Sequence, residues 1–175
     1  MDPPVPIKIA KRRIVFMKLG KFRKIFGAGP LGLLVSLSLL SVFWWASRML
    51  GHPTIMEHSG PLKVAAAVLV VMGLGLHFWT GWTLRKWWVN NQLCTSGPFK
   101  YLRHPMYAAW ITFVAAGVTF YLNSWLLIAW LVLLHMAWHR LVRQEETMMV
   151  DTFGEEYQAY AARTGRFVPR VCRHF

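Results

Sequence analysis

The sequence predicts an all-helical integral membrane protein: four transmembrane helices, with a basic interfacial helix before them and a cytoplasmic amphipathic helix after them. Three observations lead there. Of its 175 residues, 55% are hydrophobic, too many for an ordinary water-soluble domain built on one core. Apolar runs fall at about 31–50, 62–84, 106–122 and 125–142, each near the roughly 17–25 residues that carry a helix across a bilayer. The cations alternate with these runs: eight Lys and Arg precede Pro30, four lie between Arg85 and Arg103, and Arg163, Arg166, Arg170 and Arg173 fall in the tail. The segments 52–60 and 121–124 contain neither residue. Lys and Arg mark the cytoplasmic side, so both termini are expected there.

Residues 1–30 form a basic segment ahead of a single membrane domain, 31–175. Val15, Leu19, Phe22 and Phe26 recur at i, i+4, i+7 and i+11 among cations, as in a helix lying on the membrane surface. A basic tail that only enforces topology fits the same pattern. No cleavable signal peptide is expected, since no small-residue cleavage pattern follows the first apolar run. The net charge of +13 flanks hydrophobic spans and no base-stacking or groove-reading module accompanies it, so nucleic acid is excluded and anionic lipid is the expected partner.

The first span closes on Phe43, Trp44 and Trp45, suited to the interfacial aromatic belt, where most of the ten Trp belong; Arg48 can snorkel outward. The second carries Ala65, Ala66, Ala67, Gly73, Gly75 and Gly81, small residues that let helices approach closely in lipid. After Trp87 and Trp88 the chain turns polar through Asn90, Asn91, Gln92, Thr95 and Ser96, and Gly97-Pro98 marks a turn. Pro105 suits the first turn of the third span and biases His104 toward an extended cap, placing this histidine at a helix mouth. Only Asn123 and Ser124 separate spans three and four, which predicts a tight antiparallel hairpin. Beyond Glu146, Met149, Phe153, Tyr157 and Tyr160 keep helical spacing until Gly165 and Pro169. Cys94 and Cys172 lack metal-ligand spacing and are read as free thiols.

The hairpin brings two polar motifs together. His104 lies 19 residues before Asn123 and Glu145 lies 22 after it. At about 1.5 Å per residue, both ends sit roughly 30 Å from the turn. On the fourth span His135, His139, Arg143 and Glu146 recur at i, i+4, i+8 and i+11, a polar stripe expected to line a pocket opening toward His104. His135 and His139 have no further ligand cluster nearby, so interhelical hydrogen bonding is expected of them and no metal. A mouth both cationic and acidic suits a zwitterion: a helix N-terminus with His104 takes a carboxylate, a Glu holds a ribose diol, and aromatics face a sulfonium. S-adenosylmethionine carries all three groups; amino acids and lipid headgroups present similar ones.

The run Thr95-Ser96-Gly97-Pro98-Phe99-Lys100-Tyr101-Leu102-Arg103-His104-Pro105-Met106-Tyr107 resembles the signature of the isoprenylcysteine carboxyl methyltransferase and phospholipid methyltransferase group. The likeness continues in order and spacing through Glu145-Glu146, Phe153-Gly154-Glu155-Glu156-Tyr157-Gln158-Ala159-Tyr160 and Gly165-Arg166-Phe167-Val168-Pro169-Arg170. It implies a membrane methyltransferase that uses S-adenosylmethionine, releases S-adenosylhomocysteine and acts on a hydrophobic acceptor. Carried over, the pattern implies that the loop of Lys100, Tyr101, Leu102, Arg103 and His104 holds adenine and the methionyl group. Tyr107 then packs near the sulfonium, Glu145 or Glu146 binds the cofactor, and Arg103 orients the loop. His139, Arg140 and Arg143 are candidates for orienting the acceptor, which is a prenylated cysteine carboxylate, a phospholipid amine, or a small hydrophobic thiol or amine. Two departures bear on acceptor choice: Ala108-Ala109 stands where Leu-Gly is usual after the tyrosine, and the linker from Arg85 to Thr95 is shorter than in many relatives. The rival readings are a non-enzymatic four-helix transporter or ligand-binding protein, and a nicotinamide-dependent sterol reductase, for which four spans are too few.

Overall fold

The computed structural model describes residues 27–87 and 92–170, the side chains of 86 and 87 excepted. The expected surface helix before Gly27, the polar positions Asn90 and Asn91, and Cys172 lie outside the described residues. Within them the chain is helical, with four helices long and apolar enough to cross a membrane: α1 (Gly29–Met49), α2 (Gly60–Trp87), α3 (Pro105–Leu122) and α4 (Trp125–Arg163). In space α1 packs on α4, α4 on α3, and α3 on α2.

Sequence explains where each helix begins and ends. Pro30 sits in the first turn of α1 and Pro105 in that of α3, where a missing N–H costs nothing. The end of α1 is marked by Gly51 and His52, both at positive φ. Asn123, at φ 48°, reverses the chain between α3 and α4, and asparagine tolerates this left-handed conformation better than most residues. Its side chain also organises the loop above it: Oδ1 accepts the Ile55 and Met56 N–H groups at 3.1 Å each, while Nδ2 donates to the Met56 carbonyl at 2.7 Å. Beside it the buried hydroxyls of Ser47 and Ser124 meet at 2.7 Å, tying α1 to the same turn. The anticipated hairpin is therefore present, and the α1–α2 loop is stapled to its tip.

Close backbone approach joins α2 to α3. A Cβ on Gly73 would stand 2.9 Å from the Ala109 carbonyl oxygen, so only glycine allows this contact. Ala66 is buried in the same interface, whereas Gly75 and Gly81 have open space around them and contribute nothing to packing here. Opposite Gly73, α3 widens into a π-helical stretch, Ala109–Val114. Hydropathy does not register such a bulge, because the side chains stay apolar while the hydrogen-bond register shifts.

The fourth span was expected to end near 142, with a separate helix after Glu146. Instead α4 runs unbroken through the polar boundary to Gly154, whose φ of 54° and ψ of −128° break it, and resumes to Arg163. Its 39 residues are about 58 Å long, nearly twice a bilayer core, so its second half projects past the spanning portion 125–142. There Tyr157 and Tyr160 are buried with Leu93. The Tyr160 hydroxyl hydrogen-bonds the Phe99 carbonyl at 2.7 Å, anchoring the 97–104 loop under the end of α4.

Candidate functional site

The site is built where three distant pieces of chain converge. The loop before α3 begins with a single 3-10 turn, Gly97–Lys100, and leads through Arg103 to His104 at the cap of α3, whose φ of −126° and ψ of 61° fall short of the extended conformation expected before Pro105. Past Thr164 the chain returns alongside it: Arg103 N–H donates to the Gly165 carbonyl (2.7 Å) and His104 N–H to that of Arg166 (3.1 Å), while Gly165 N–H donates to Tyr101 (3.3 Å). This short parallel pairing presents Arg103 and His104 to Glu145 and Glu146 on α4.

Arg103 is the hub. Its Nε donates to Glu146 Oε1 at 2.9 Å, and its Nη1 donates to the carbonyls of Ala161 (2.6 Å) and Thr164 (2.7 Å). The planar guanidinium thus locks the loop to both flanks of the α4 end, a geometry a lysine ammonium cannot reproduce. Arg166 grips the other side of the same carboxylate, Nε lying 2.9 Å from Glu146 Oε2. Burial disfavours ionisation of Glu146, but the nearby His104 imidazole, the hydrogen bonds from Arg166 and the charges of Arg103 and Arg166 outweigh it, and its carboxyl is held down at about 2.

Glu145 has different partners. Its Oε1 accepts the Tyr107 hydroxyl at 2.9 Å and the main-chain N–H of Ala28 at the head of α1. Between the two carboxylates stands the His104 imidazole, nine-tenths buried, with Nδ1 at 3.6 Å from Glu145 Oε2 and Nε2 at 3.5 Å from Glu146 Oε1. The second contact is within ion-pair reach, yet Nε2 is buried with no hydrogen-bond partner among the described residues. Aromatic rings enclose the imidazole: Tyr107 stacks on it at 5.7 Å, Phe167 tilts against it at 6.0 Å, and Trp138 backs Tyr107 at 4.7 Å.

Of the predicted site residues, Arg103, His104, Tyr107, Glu145 and Glu146 therefore share one cluster. Leu102 is buried in the core beneath it, while Tyr101 and Lys100 are exposed at its edge, the ammonium 5.9 Å from the Tyr101 ring. The expected polar stripe on α4 is divided among environments and does not line one pocket. Glu146 joins the cluster; His139 is exposed, with its ring edge-on to Phe167 at 4.9 Å; Arg140 and Arg143 are exposed. His135 faces α3, 3.2 Å from the Thr112 hydroxyl, an interhelical hydrogen bond of the expected kind. Sequence reasoning did not single out Arg166, Phe167 or Ala28. The first two lie in the Gly165–Arg170 run noticed above, whereas nothing local marks Ala28.

The phospholipid methyltransferase family matches residues 62–156, more than half of the chain, from the start of α2 to just past the α4 break. No curated protein matches the chain. Among solved structures it is similar to the eukaryotic intramembrane Ras methyltransferase, isoprenylcysteine carboxyl methyltransferase, with a TM-score of 0.58 and 19% identity. That match covers 81% of this chain and 53% of the other, so the likeness is one of fold and the chain spans about half its relative's length. A multi-pass arrangement of apolar helices, with the matched segment carrying α2, α3 and the paired glutamates, places the chain in the phospholipid methyltransferase family of membrane methyltransferases.

Proposed function

We propose that this chain transfers a methyl group from S-adenosylmethionine to a hydrophobic or lipid-like acceptor at the cytoplasmic face of the membrane. One observation carries the reading: the loop before α3 and the paired carboxylates at the far end of the hairpin meet in one aromatic-walled cluster around His104.

The donor set fits that cofactor. His104 Nε2 is a buried polar atom in want of a partner, Glu145 Oε2 faces the other ring nitrogen, Nδ1, without a short hydrogen bond, and Tyr107 offers a ring face for a sulfonium. Lys100, Tyr101, Leu102, Arg103, His104, Tyr107, Glu145 and Glu146 would hold the cofactor, and no metal is required. When bound, it supplies an electrophilic methyl group. The chain's own part is orientation and exclusion of water, which suffices for a direct displacement.

A carboxylate or thiolate acceptor needs no base. An amine has to be neutral to react; His139 and Glu146 are the candidate acceptors of its proton, and Glu146, its carboxyl held at about 2, is the poorer base. That leaves His139, with Arg140 and Arg143 beside it to orient an anionic acceptor. With both termini cytoplasmic, the basic segment before Gly27 would face anionic lipid.

Calorimetry on the detergent-purified protein tests this directly. Binding of S-adenosylmethionine and S-adenosylhomocysteine but not NADPH is expected, together with transfer of labelled methyl into a lipid extract. Binding of neither sulfur compound overturns it.

A further inference from the structure

We infer that the turn Gly27–Ala28, at the head of α1, is a positioning element of the site: it fixes the Glu145 carboxylate in the orientation that faces His104. This rests on the cofactor reading above and adds to it a helix outside the family-matched residues 62–156.

The contact spans 117 residues of sequence. Ala28 N–H and the Tyr107 hydroxyl converge on one oxygen of Glu145, Oε1, which turns the other, Oε2, toward His104 Nδ1. A carboxylate held by two donors on one oxygen loses the rotation that would otherwise exchange its oxygens. Gly27 makes the approach possible. It has φ +58°, and a Cβ there would fall on the Glu145 carboxylate and 2.8 Å from the Tyr107 hydroxyl oxygen. Both the backbone conformation and the space therefore demand glycine.

Farther along α1 the same close fit recurs. The Trp138 ring fills the space a side chain on Gly32 would need, and its indole N–H donates to Ser36 Oγ at 3.0 Å. Since Trp138 packs on Tyr107, α1 seats the second Glu145 donor as well as supplying the first. The first helix is thereby a wall of the site, acting through Glu145 and Tyr107.

The test is a double-mutant cycle on the full-length protein, reading S-adenosylhomocysteine affinity by calorimetry and folding by thermal melting. Gly27→Ala should weaken binding about tenfold or more in the Glu145 background, the loss of a charge-assisted hydrogen bond. In a Glu145→Asp, Tyr107→Phe background, whose shorter carboxylate and missing hydroxyl both clear the added methyl, the same change should cost little. The strain of alanine at positive φ is common to both backgrounds and cancels in the cycle. Gly75→Ala, with nothing within 4 Å, should alter neither reading. If Gly27→Ala does not fold, Ala28→Pro takes its place: φ of −77° suits proline, the N–H donor is lost and the ring Cδ stands where its hydrogen was, against Glu145 Oε1, so the same weakening is expected. Equal losses in both backgrounds, or wild-type affinity in either variant, overturn the inference while leaving the proposed function intact. A wild-type protein that binds no S-adenosylhomocysteine overturns both.

Discussion

Arg103 and Glu146 are joined by a 2.9 Å hydrogen bond between groups that are each 13% exposed, although 43 residues separate them in sequence. The bond closes a circuit, since the same guanidinium also binds the Ala161 and Thr164 carbonyls beyond the Gly154 break. The loop before α3 and the bent end of α4 are thus held by one side chain.

Removing that side chain strands two carbonyls and leaves the Glu146 carboxylate to Arg166 alone. Arg103→Ala should destabilise the protein by about 1–3 kcal/mol, the usual cost of leaving buried polar groups without their partner. Arg103→Lys should recover only part of it, because one ammonium cannot reach all three acceptors. Unfolding in detergent measures both, and full rescue by lysine would show that charge alone matters.

Glu146 gives the site a defined acid sensitivity. Its carboxyl is lowered from 4.5 to about 2 on folding, so the folded state favours the ionised form. That stabilisation is present in full above the unfolded value and is lost as pH falls through the folded one. Melting temperature should therefore decline as pH drops from about 5 toward 2, and Glu146→Gln should flatten this portion of the profile. An unchanged profile in the variant would assign the acid sensitivity to other groups.

How much of this was legible in the sequence depends on the range of the interaction. The four spans were, because a bilayer imposes length and hydropathy on every crossing segment and leaves a local signal. The meeting of His104 with Glu145 and Glu146 was too, because a two-residue turn and a fixed helix rise determine the level of both ends. The continuation of α4 past 142 was not, since hydropathy reports the solvent around a helix and not its backbone. The polar stripe failed for a related reason: helical phase gives a direction, but whether it meets protein or open surface depends on the neighbours, and His135 has Thr112 beside it where Arg143 has open surface. Ala28 was invisible because its contribution is a backbone N–H, which every residue but proline possesses.

The α2–α3 interface predicts a contrast between two glycines two residues apart. Gly73→Val must push its Cβ and branches into the Ala109 carbonyl and Val114, both near 2.9 Å from the Cβ position, with no flexible tip to move on the carbonyl side. A loss of about 1–3 kcal/mol or more is expected, as for overpacking elsewhere, and the π-helical stretch of α3 should shift with it. Gly75→Val has open space and should be close to neutral. Thermal melting of the two variants in the same detergent compares them, and equal effects would refute the close approach.

Arg140 and Arg143 bear on acceptor class. Both are exposed on α4 near the end of the spanning portion, three residues apart and so on neighbouring positions of the helix surface, and neither is part of the Glu145–Glu146 cluster. If they orient an anionic acceptor, Arg143→Ala should raise its KM about tenfold, the worth of a charge-assisted hydrogen bond, and leave S-adenosylhomocysteine affinity as in the wild type. A neutral hydrophobic thiol or amine makes no such bond, and its KM should be unaffected. Comparing prenylated-cysteine, phosphatidylethanolamine and small-thiol acceptors in wild type and variant separates the cases. A KM change common to every acceptor would mean the arginine shapes the surface itself, and a parallel fall in cofactor affinity would place it in the His104 cluster after all.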